Sequence, residues 1–559
     1  MKIKRQLHWF IYALFVLSCA RVSSPTGGPK DTIPPKLIAA NPAHEELNFH
    51  GNQLSLTFSE TVVLNNPKEQ IIITPTIGKN FDVEARNNKV ILSYETKLTD
   101  STTYTFNFRE AVQDITEKNP ARDLKLALST GSYIDSLSVT GTIYNALNKK
   151  PLKDVTVALQ PYSDTFDIFK HQPTYFTKTN DKGNYTLENL KHGKYQLYSY
   201  SDQNKNLVVD SKSEAYGFKS DVFNLDTVLI KQDAHQVRLD MRPLKLTTAR
   251  PYNTYYNIRT SKNLSTYKVV AEDSLDVYIA YGADRSNLVL YNTFQGRDSI
   301  SLKIHLEDSV NNTYDTTLWA KFSQRPATPE KFSFEVNEQR LLAHRGTYNL
   351  KFTFSKPLKE IDFDSLYYQV DSLTRLNFTA EELDYNEPEK ILTIKKKIDP
   401  KLFPAPETRN GPPATAKPDS TELKKINELV IGKGAFISVE QDSSKSTRQQ
   451  VKPLFLENLG VIIASAPKTT DPIIIQLLDT KGNVIQEVIN KQQATFEDLN
   501  PGDYLLRLIL DKNNNGRWDP GNFYKRFEPE PVHYYENEKA VREIKLKANF
   551  ELGPLLITY

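Results

Sequence analysis

Two stretches of this chain space short oxygen side chains as a calcium loop does. Asp511, Asn513, Asn515 and Asp519 occupy positions 1, 3, 5 and 9 of such a loop, with Gly516 at position 6. Alternating side chains on a tight loop turn toward one centre, and glycine permits the sharp bend. Every donor is a hard oxygen, so a calcium ion is the cofactor this spacing suggests. Asp202, Asn204, Asn206 and Asp210 repeat the pattern, with Leu207 where the glycine should stand. The bidentate acid of position 12 is missing from both, since Asn522 and Ser213 are found there, and Glu214 is the neighbour that could substitute. Asp and Asn also close hairpin loops by bonding their own backbone, so a metal-free polar turn stays open for each.

The second reactive position is Cys19, the only cysteine. It follows Lys2, Lys4 and Arg5 and a mostly apolar run from Trp9 to Ser18. A basic start, a short apolar stretch and a small residue before the cut have the layout of a secretory signal. The run is too short to span a bilayer, which takes about 20 residues. The boundary Val16-Leu17-Ser18-Cys19 resembles a bacterial lipobox. That resemblance implies loss of residues 1–18, an acylated Cys19 thiol and a membrane as partner through the lipid. A single cysteine rules out an intramolecular disulfide.

Asp followed by Ser or Thr and then an aliphatic residue or Thr recurs eleven times, more often than shuffling would give. The pattern resembles the O-glycosylation sequon of Bacteroidota, with Thr32, Ser136, Thr227, Ser274 and Ser365 as acceptors. The same pairs also begin and end strands, because these side chains cap turns. Aromatics offer one more route to binding. Trp518 lies inside the 511 loop with Tyr524 close behind, and exposed rings on loops stack on sugars or anchor interfaces.

Signals for catalysis are weak. None of the nine histidines forms a metal-binding pair, and there is no nucleophile elbow or phosphate-binding glycine loop. The chain is therefore expected to be no enzyme. With 71 basic and 68 acidic residues, it lacks the electrostatic footprint of a nucleic-acid binder.

The elements that must carry these residues read as all-β. Short runs such as Gln53–Phe58, Val90–Tyr94 and Thr102–Phe108 alternate apolar and polar with period two. Sustained helical periodicity is absent, and Glu422–Leu429 is the best short helical candidate. A repeat organises the whole. Thr186-Leu187-Glu188-Asn189-Leu190, Gly193-Lys194-Tyr195 and Asp202 return 309 residues later as Thr495-Phe496-Glu497-Asp498-Leu499, Gly502-Asp503-Tyr504 and Asp511. A weaker echo links Leu54–Ser59 to Leu350–Ser355, 296 residues on.

Leu56-Thr57-Phe58-Ser59-Glu60, Thr102–Phe106 and Leu128-Ser129-Thr130 resemble the S-layer-type bacterial Ig-like domain. The Gly-x-Tyr segments resemble the carboxypeptidase-regulatory, transthyretin-like sandwich. The expected organisation is a signal peptide (1–18), a Pro/Gly-rich tether (19–35), an Ig-like domain (36–132) and a transthyretin-like domain (137–245). A β-domain of no recognised type follows (246–328). Then come a second Ig-like domain (329–465) with a Pro-rich, disordered loop at 402–420, and a second transthyretin-like domain (466–559). The whole resembles Bacteroidota envelope lipoproteins. That resemblance implies a non-catalytic scaffold or accessory subunit on the outer membrane, on its periplasmic or its outer side, with an envelope protein as partner. The alternative is a glycan-binding surface lipoprotein.

Overall fold

The computed structural model describes residues 30–272, 275–294, 297–323, 325, 327–404 and 425–559. Cys19, the tether up to residue 29, Ser274 and residues 405–424, which hold most of the 402–420 loop, fall outside them. The described residues are nearly all strand and turn. The one α-helix among them is the single turn Pro67–Gln70. None of their helices is long and apolar enough to cross a membrane.

Alternating sequence becomes one-sided burial. In Gln53–Phe58, Leu54, Leu56 and Phe58 are each 1% exposed while the residues between them are more open. Strands of this kind stack into sandwiches, because each sheet has one apolar face to cover. Five successive units result, each with its own core. These centre on Leu56 and Phe106, Val157 and Leu197, Leu288 and Leu302, Phe352 and Phe436, and Ile475 and Leu508.

Sheet topology repeats with the sequence. In the second unit Leu137–Asn145 lies between Asn184–Leu190, antiparallel to it, and Ala234–Gln236, parallel to it. In the fifth unit Gly460–Ser465 lies between Gln493–Leu499 and Glu551–Leu556 in the same senses. The facing sheets also match. Tyr175–Lys178, Thr156–Pro161, Gly193–Tyr200 and Tyr216–Phe218 run in that order in one. Val484–Ile489, Ile473–Leu478, Gly502–Leu510 and Val532–Tyr534 run in that order in the other. We call these units the first and second repeats. The two Ig-like units correspond as well. Leu37–Asn41, Gln53–Phe58, Lys89–Tyr94 and Phe81–Arg86 are ordered as Phe334–Leu342, Thr347–Phe354, Ile391–Lys397 and Leu383–Asn386 are.

One local expectation fails. The helical candidate at 422–429 ends in a strand, Glu428–Ile431, which pairs with Leu366–Gln369 and Thr447–Gln450. Two-sided pairing in a buried sheet overrides the weak helical preference of its charged neighbours.

Each repeat meets its own Ig-like unit through the same two positions. In the first, Glu188 pairs with Lys125 at 2.7 Å and Asn189 Oδ1 accepts from Thr105 Oγ1 at 3.0 Å. In the second, Glu497 pairs with Arg345 at 2.5 Å, and Asp498 lies 2.6 Å from Arg345 Nε and 2.9 Å from His344 Nε2. Asn189 and Asp498 have φ of 56° and 57°. Asn and Asp tolerate this left-handed backbone better than most residues, and here it turns their side chains onto the neighbouring unit.

Candidate functional site: two Asp/Asn loops and a clasp between the repeats

Both loops leave the strand that follows the Gly-x-Tyr segment. Asp511, fully buried, accepts from Asn515 N at 3.0 Å through Oδ1 and from Gly516 N at 2.7 Å through Oδ2. Asn513 Oδ1 accepts from Asn515 N at 3.2 Å, and Asn515 Oδ1 from Arg517 N at 3.0 Å. Asp519 Oδ2 takes the amides of Asn513 and, at 2.8 Å, Asn515. The four residues singled out by spacing do converge. In the other loop Asp202 accepts from Asn206 N at 3.0 Å and Leu207 N at 3.2 Å, and Asn204 Oδ1 from Asn206 N at 3.1 Å. Asp210 instead bonds Ser213 Oγ at 2.9 Å.

The acid absent from position 12 is supplied by other residues. Glu530 Oε1 accepts from Lys512 N at 2.8 Å and Oε2 from Asp519 N at 3.0 Å, tying the loop's two ends. Glu214 does the same, accepting from Gln203 N and from Asp210 N, each at 2.8 Å. Glu214 and Glu530 are 1% and 7% exposed. Burial, and then the charges of Asp519 and Asp511, push the Glu530 carboxyl above its ordinary range. Glu530 escaped the sequence reading because it lies nineteen residues after Asp511, while Glu214 lies twelve after Asp202. Among the described residues, no group of three or more His, Cys, Asp or Glu side chains is placed to hold a metal ion. Any cation here would lean on the Asn amide oxygens as well.

The additional length of the second loop forms an arm that reaches the first repeat. Phe523, 5% exposed, inserts among Phe169, Phe218, Tyr198 and Tyr216, with ring centroids 5.0, 5.4, 6.3 and 6.3 Å away. The Arg526 guanidinium lies 5.3 Å from the Phe218 ring and donates to Lys219 O at 3.2 Å. Glu528 Oε1 accepts from Ser220 N at 2.8 Å and Ser220 Oγ at 2.7 Å. Asn522 Nδ2 reaches Val310 O of the third unit at 3.3 Å. Gly521 has a φ of 84°, and a Cβ there would stand 2.5 Å from Phe527 O. Only glycine fits this bend.

A second contact runs the other way. Leu147 of the first repeat packs on Ile474, Ile509 and Val532 of the second, beside Trp518 and Tyr534. Tyr534 Oη donates to Leu147 O at 3.2 Å, and Arg542 donates to Asn148 O at 2.7 Å. Trp518 is half-buried and spends its indole N–H on Glu530 O at 3.1 Å. Tyr524 is 58% exposed, so of the two proposed aromatics it is the one open to solvent.

Beside the clasp is a cleft of about 770 Å³ with mixed charge, lined among others by Lys149, His235, Asp221, Arg517 and Lys525. Lys149 Nζ stands 2.5 Å from His235 Nε2, and the Tyr144 ring stacks on the imidazole at 5.9 Å. Burial and then the Lys149 charge lower His235 to about 4.

The glycosylation candidates divide by surroundings. Thr32, Ser136 and Thr227 are exposed. Ser365 is half-buried and donates to Asp362 Oδ2 at 2.6 Å. Two other Asp-Ser pairs close turns through a buried Asp. Asp308 Oδ1 accepts from Val310 N and Asn312 N at 2.9 Å each, and Asp371 Oδ1 from Thr374 N at 2.8 Å.

Residues 31–130 match the bacterial Ig-like domain family. No curated protein sequence matches this chain. Similar solved structures include the Bacillus anthracis TIE protein, at 11% identity and TM-score 0.13, over 99% of this chain and 79% of that one. The major pilin subunit BcpA of Bacillus cereus is similar at 10% identity and TM-score 0.13, over 76% and 99%. Domains 1–6 of the surface layer protein SbsC are similar at 11% identity and TM-score 0.14, over 93% and 68%. At these TM-scores the likenesses carry no argument about function. The described residues form a string of β-sandwich units, of which residues 31–130 match the bacterial Ig-like domain.

Proposed function

We propose that this chain is a non-catalytic scaffold of a bacterial envelope, anchored through an acylated Cys19 and presenting a fixed set of β-sandwiches to another envelope protein. The clasp is the observation that carries the reading. A string of sandwiches joined only by linkers would flex. Here the second repeat returns to the first and also touches the third unit, so the second to fifth units close on themselves. Such an arrangement holds surfaces at fixed spacing. The first Ig-like unit stands between this body and the N-terminal tether. Radiolabelled palmitate incorporation tests the anchor, with Cys19→Ala as control. Pulldown from detergent-solubilised membranes tests the partner. Recovery of no envelope protein would count against the scaffold.

The proposal includes calcium at the Asp511 loop and, more weakly, at the Asp202 loop, as a stiffener of the clasp. The support is the side-chain register, the paired acid Glu530, and the burial that, with the charges of Asp519 and Asp511, raises its carboxyl. Millimolar calcium should raise the melting temperature of the full chain, and Asp511→Ala should abolish that rise. An unchanged melting temperature would end the metal reading and leave the clasp intact. Glycosylation at Thr32, Ser136 and Thr227 belongs to the same picture. Intact mass of protein from the native host tests it.

A further inference from the structure

One loop of the first repeat carries both a contact with the second repeat and a bond to a histidine. The loop runs from Asn145 to Lys150. Asn145 N donates to Lys150 O at 2.9 Å and Lys149 N to Asn145 O at 3.0 Å. Asn145 Oδ1 accepts from Leu147 N at 3.0 Å and from Asn148 N at 2.9 Å. At the tip, Leu147 packs on Ile474, Ile509 and Val532. The carbonyls of Leu147 and Asn148 take the Tyr534 hydroxyl and the Arg542 guanidinium. Lys149 has a φ of 57°, a left-handed backbone that a lysine adopts only at a cost. Its side-chain contacts offset that cost. The ammonium lies 5.8 Å from the Tyr144 ring and 2.5 Å from His235 Nε2.

The contact with His235 works in one direction. An ammonium group donates protons and accepts none. His235 Nε2 is therefore the bare, accepting nitrogen of a neutral imidazole, with the ring proton on Nδ1. A proton on Nε2 sets donor against donor and cation against cation. The surroundings do not absorb that charge. Lys219, and His533 from the second repeat's strand Val532–Tyr534, side with Lys149 against it. Asp233 opposes them, but its Oδ1 also holds Thr142 N at 2.8 Å. The cleft beside the imidazole adds Asp221, which is exposed, and Arg526 and Glu528, which are bonded to Lys219 O and Ser220. On the far side of Lys149, Arg542 adds another positive charge.

We propose that Asn145–Lys150 is an acid-operated latch, in which protonation of His235 at Nε2 drives Lys149 out and frees Leu147 and Asn148 from the second repeat. The proton comes from solvent through the cleft that His235 and Lys149 line. Burial, and then the Lys149 charge, keep the imidazole neutral down to about 4 while the latch is closed. Once the lysine has left, its proton affinity returns toward the ordinary value of 6.5. The open form therefore binds the proton at higher pH than the closed form, so falling pH favours opening across that window. Between pH 7 and 5.5 closure should weaken roughly fivefold, after discounting for partial exposure. The Phe523 pocket is a separate contact and remains to hold the repeats. The inference uses the clasp alone and needs neither the anchor nor an envelope partner.

Amide exchange on the full chain tests the latch, read as protection factors so that the intrinsic pH dependence of exchange cancels. Between pH 7 and 5.5, protection of the Leu147 and Lys149 amides should fall roughly fivefold more in the wild type than in His235→Gln. Lys149→Gln should also remove this excess at Leu147, because an amide side chain can accept from a protonated imidazole as well as donate to a neutral one. The wild-type loss should be the same in dilute urea, since freeing a loop exposes little surface. Equal losses in the wild type and His235→Gln, or an undiminished excess in Lys149→Gln, overturn the proposal. So does exchange that accelerates with urea as unfolding does. Where a variant does not fold, the nitrogen NMR shifts of His235 in the unsubstituted chain decide. A bare Nε2 with a protonated Nδ1 at pH 7 supports the latch, and a protonated Nε2 refutes it.

Discussion

Removing the Phe523 ring should open the clasp. Phe523 is 5% exposed, and four aromatic rings of the first repeat surround it. Burying a phenyl side chain removes roughly 150–200 Å² from water, worth about 4–5 kcal/mol at ~25 cal/mol per Å². Measured Phe→Ala costs in packed cores run about 3–5 kcal/mol. Phe523→Ala should therefore weaken closure by about 4 kcal/mol, close to a thousandfold at ~1.4 kcal/mol per decade. The best reporter is the Ser220 amide, which donates to Glu528 across the clasp at 2.8 Å. Its hydrogen exchange should accelerate by about two to three orders of magnitude if local opening controls it. Amides inside Gln53–Phe58, in a separate core, should exchange as before. Phe523→Leu should restore part of the protection, because most of the lost area is aliphatic-compatible. An unchanged Ser220 exchange rate in Phe523→Ala would refute the reasoning, since the aromatic pocket would then contribute nothing to closure.

Other perturbations test other joints. Lys356, 2% exposed, lies 2.6 Å from Glu440 and also pairs with Asp442, while Glu440 takes the Thr254 hydroxyl of the third unit at 2.7 Å. Lys356→Ala strands two acids and should cost about 3 kcal/mol in urea melts, as broken buried pairs do; a loss under about 0.5 kcal/mol would deny the joint its role. His235 gives a pH dependence. The folded state keeps its imidazole neutral down to about 4, whereas the unfolded chain takes a proton near the ordinary value of 6.5. Protons thus favour unfolding as pH falls from 6.5 toward 4, so stability is full above that window and drops within it. The wild type should lose about 1 kcal/mol more than His235→Gln between pH 7 and 5.5, after discounting for partial exposure. Parallel curves for the two proteins would contradict this.

The repeat was legible because its signals are local. Thr-x-Glu-x-Leu and Gly-x-Tyr fix an alternating face and a turn, and both copies fold to matching strands, Asn184–Leu190 and Gln493–Leu499. The Asp/Asn loops were legible for the same reason. Glu530 was not, because the arm between Asp519 and Glu530 breaks the 309-residue register. The residue in register with Glu214 is Phe523, so the offset that revealed the repeat conceals the matching acid. Trp518 read as a loop aromatic, and Phe523 went unremarked, because their partners, Leu147 and Tyr198 among them, lie more than 300 residues away in sequence. Burial by so distant a contact leaves no local pattern. The Glu422–Leu429 stretch misled for the opposite reason, since its residues are acceptable in a helix and only sheet pairing makes Glu428–Ile431 a strand.

The second repeat is held against the first by the clasp. Double electron–electron resonance reads it directly, with Cys19 replaced by Ser and spin labels on cysteines at Lys150 and Glu538. These exposed positions flank the bond between Asn148 and Arg542. A single short, narrow distance that broadens in Phe523→Ala is the predicted result. A broad, long distribution in the otherwise native chain would contradict the account.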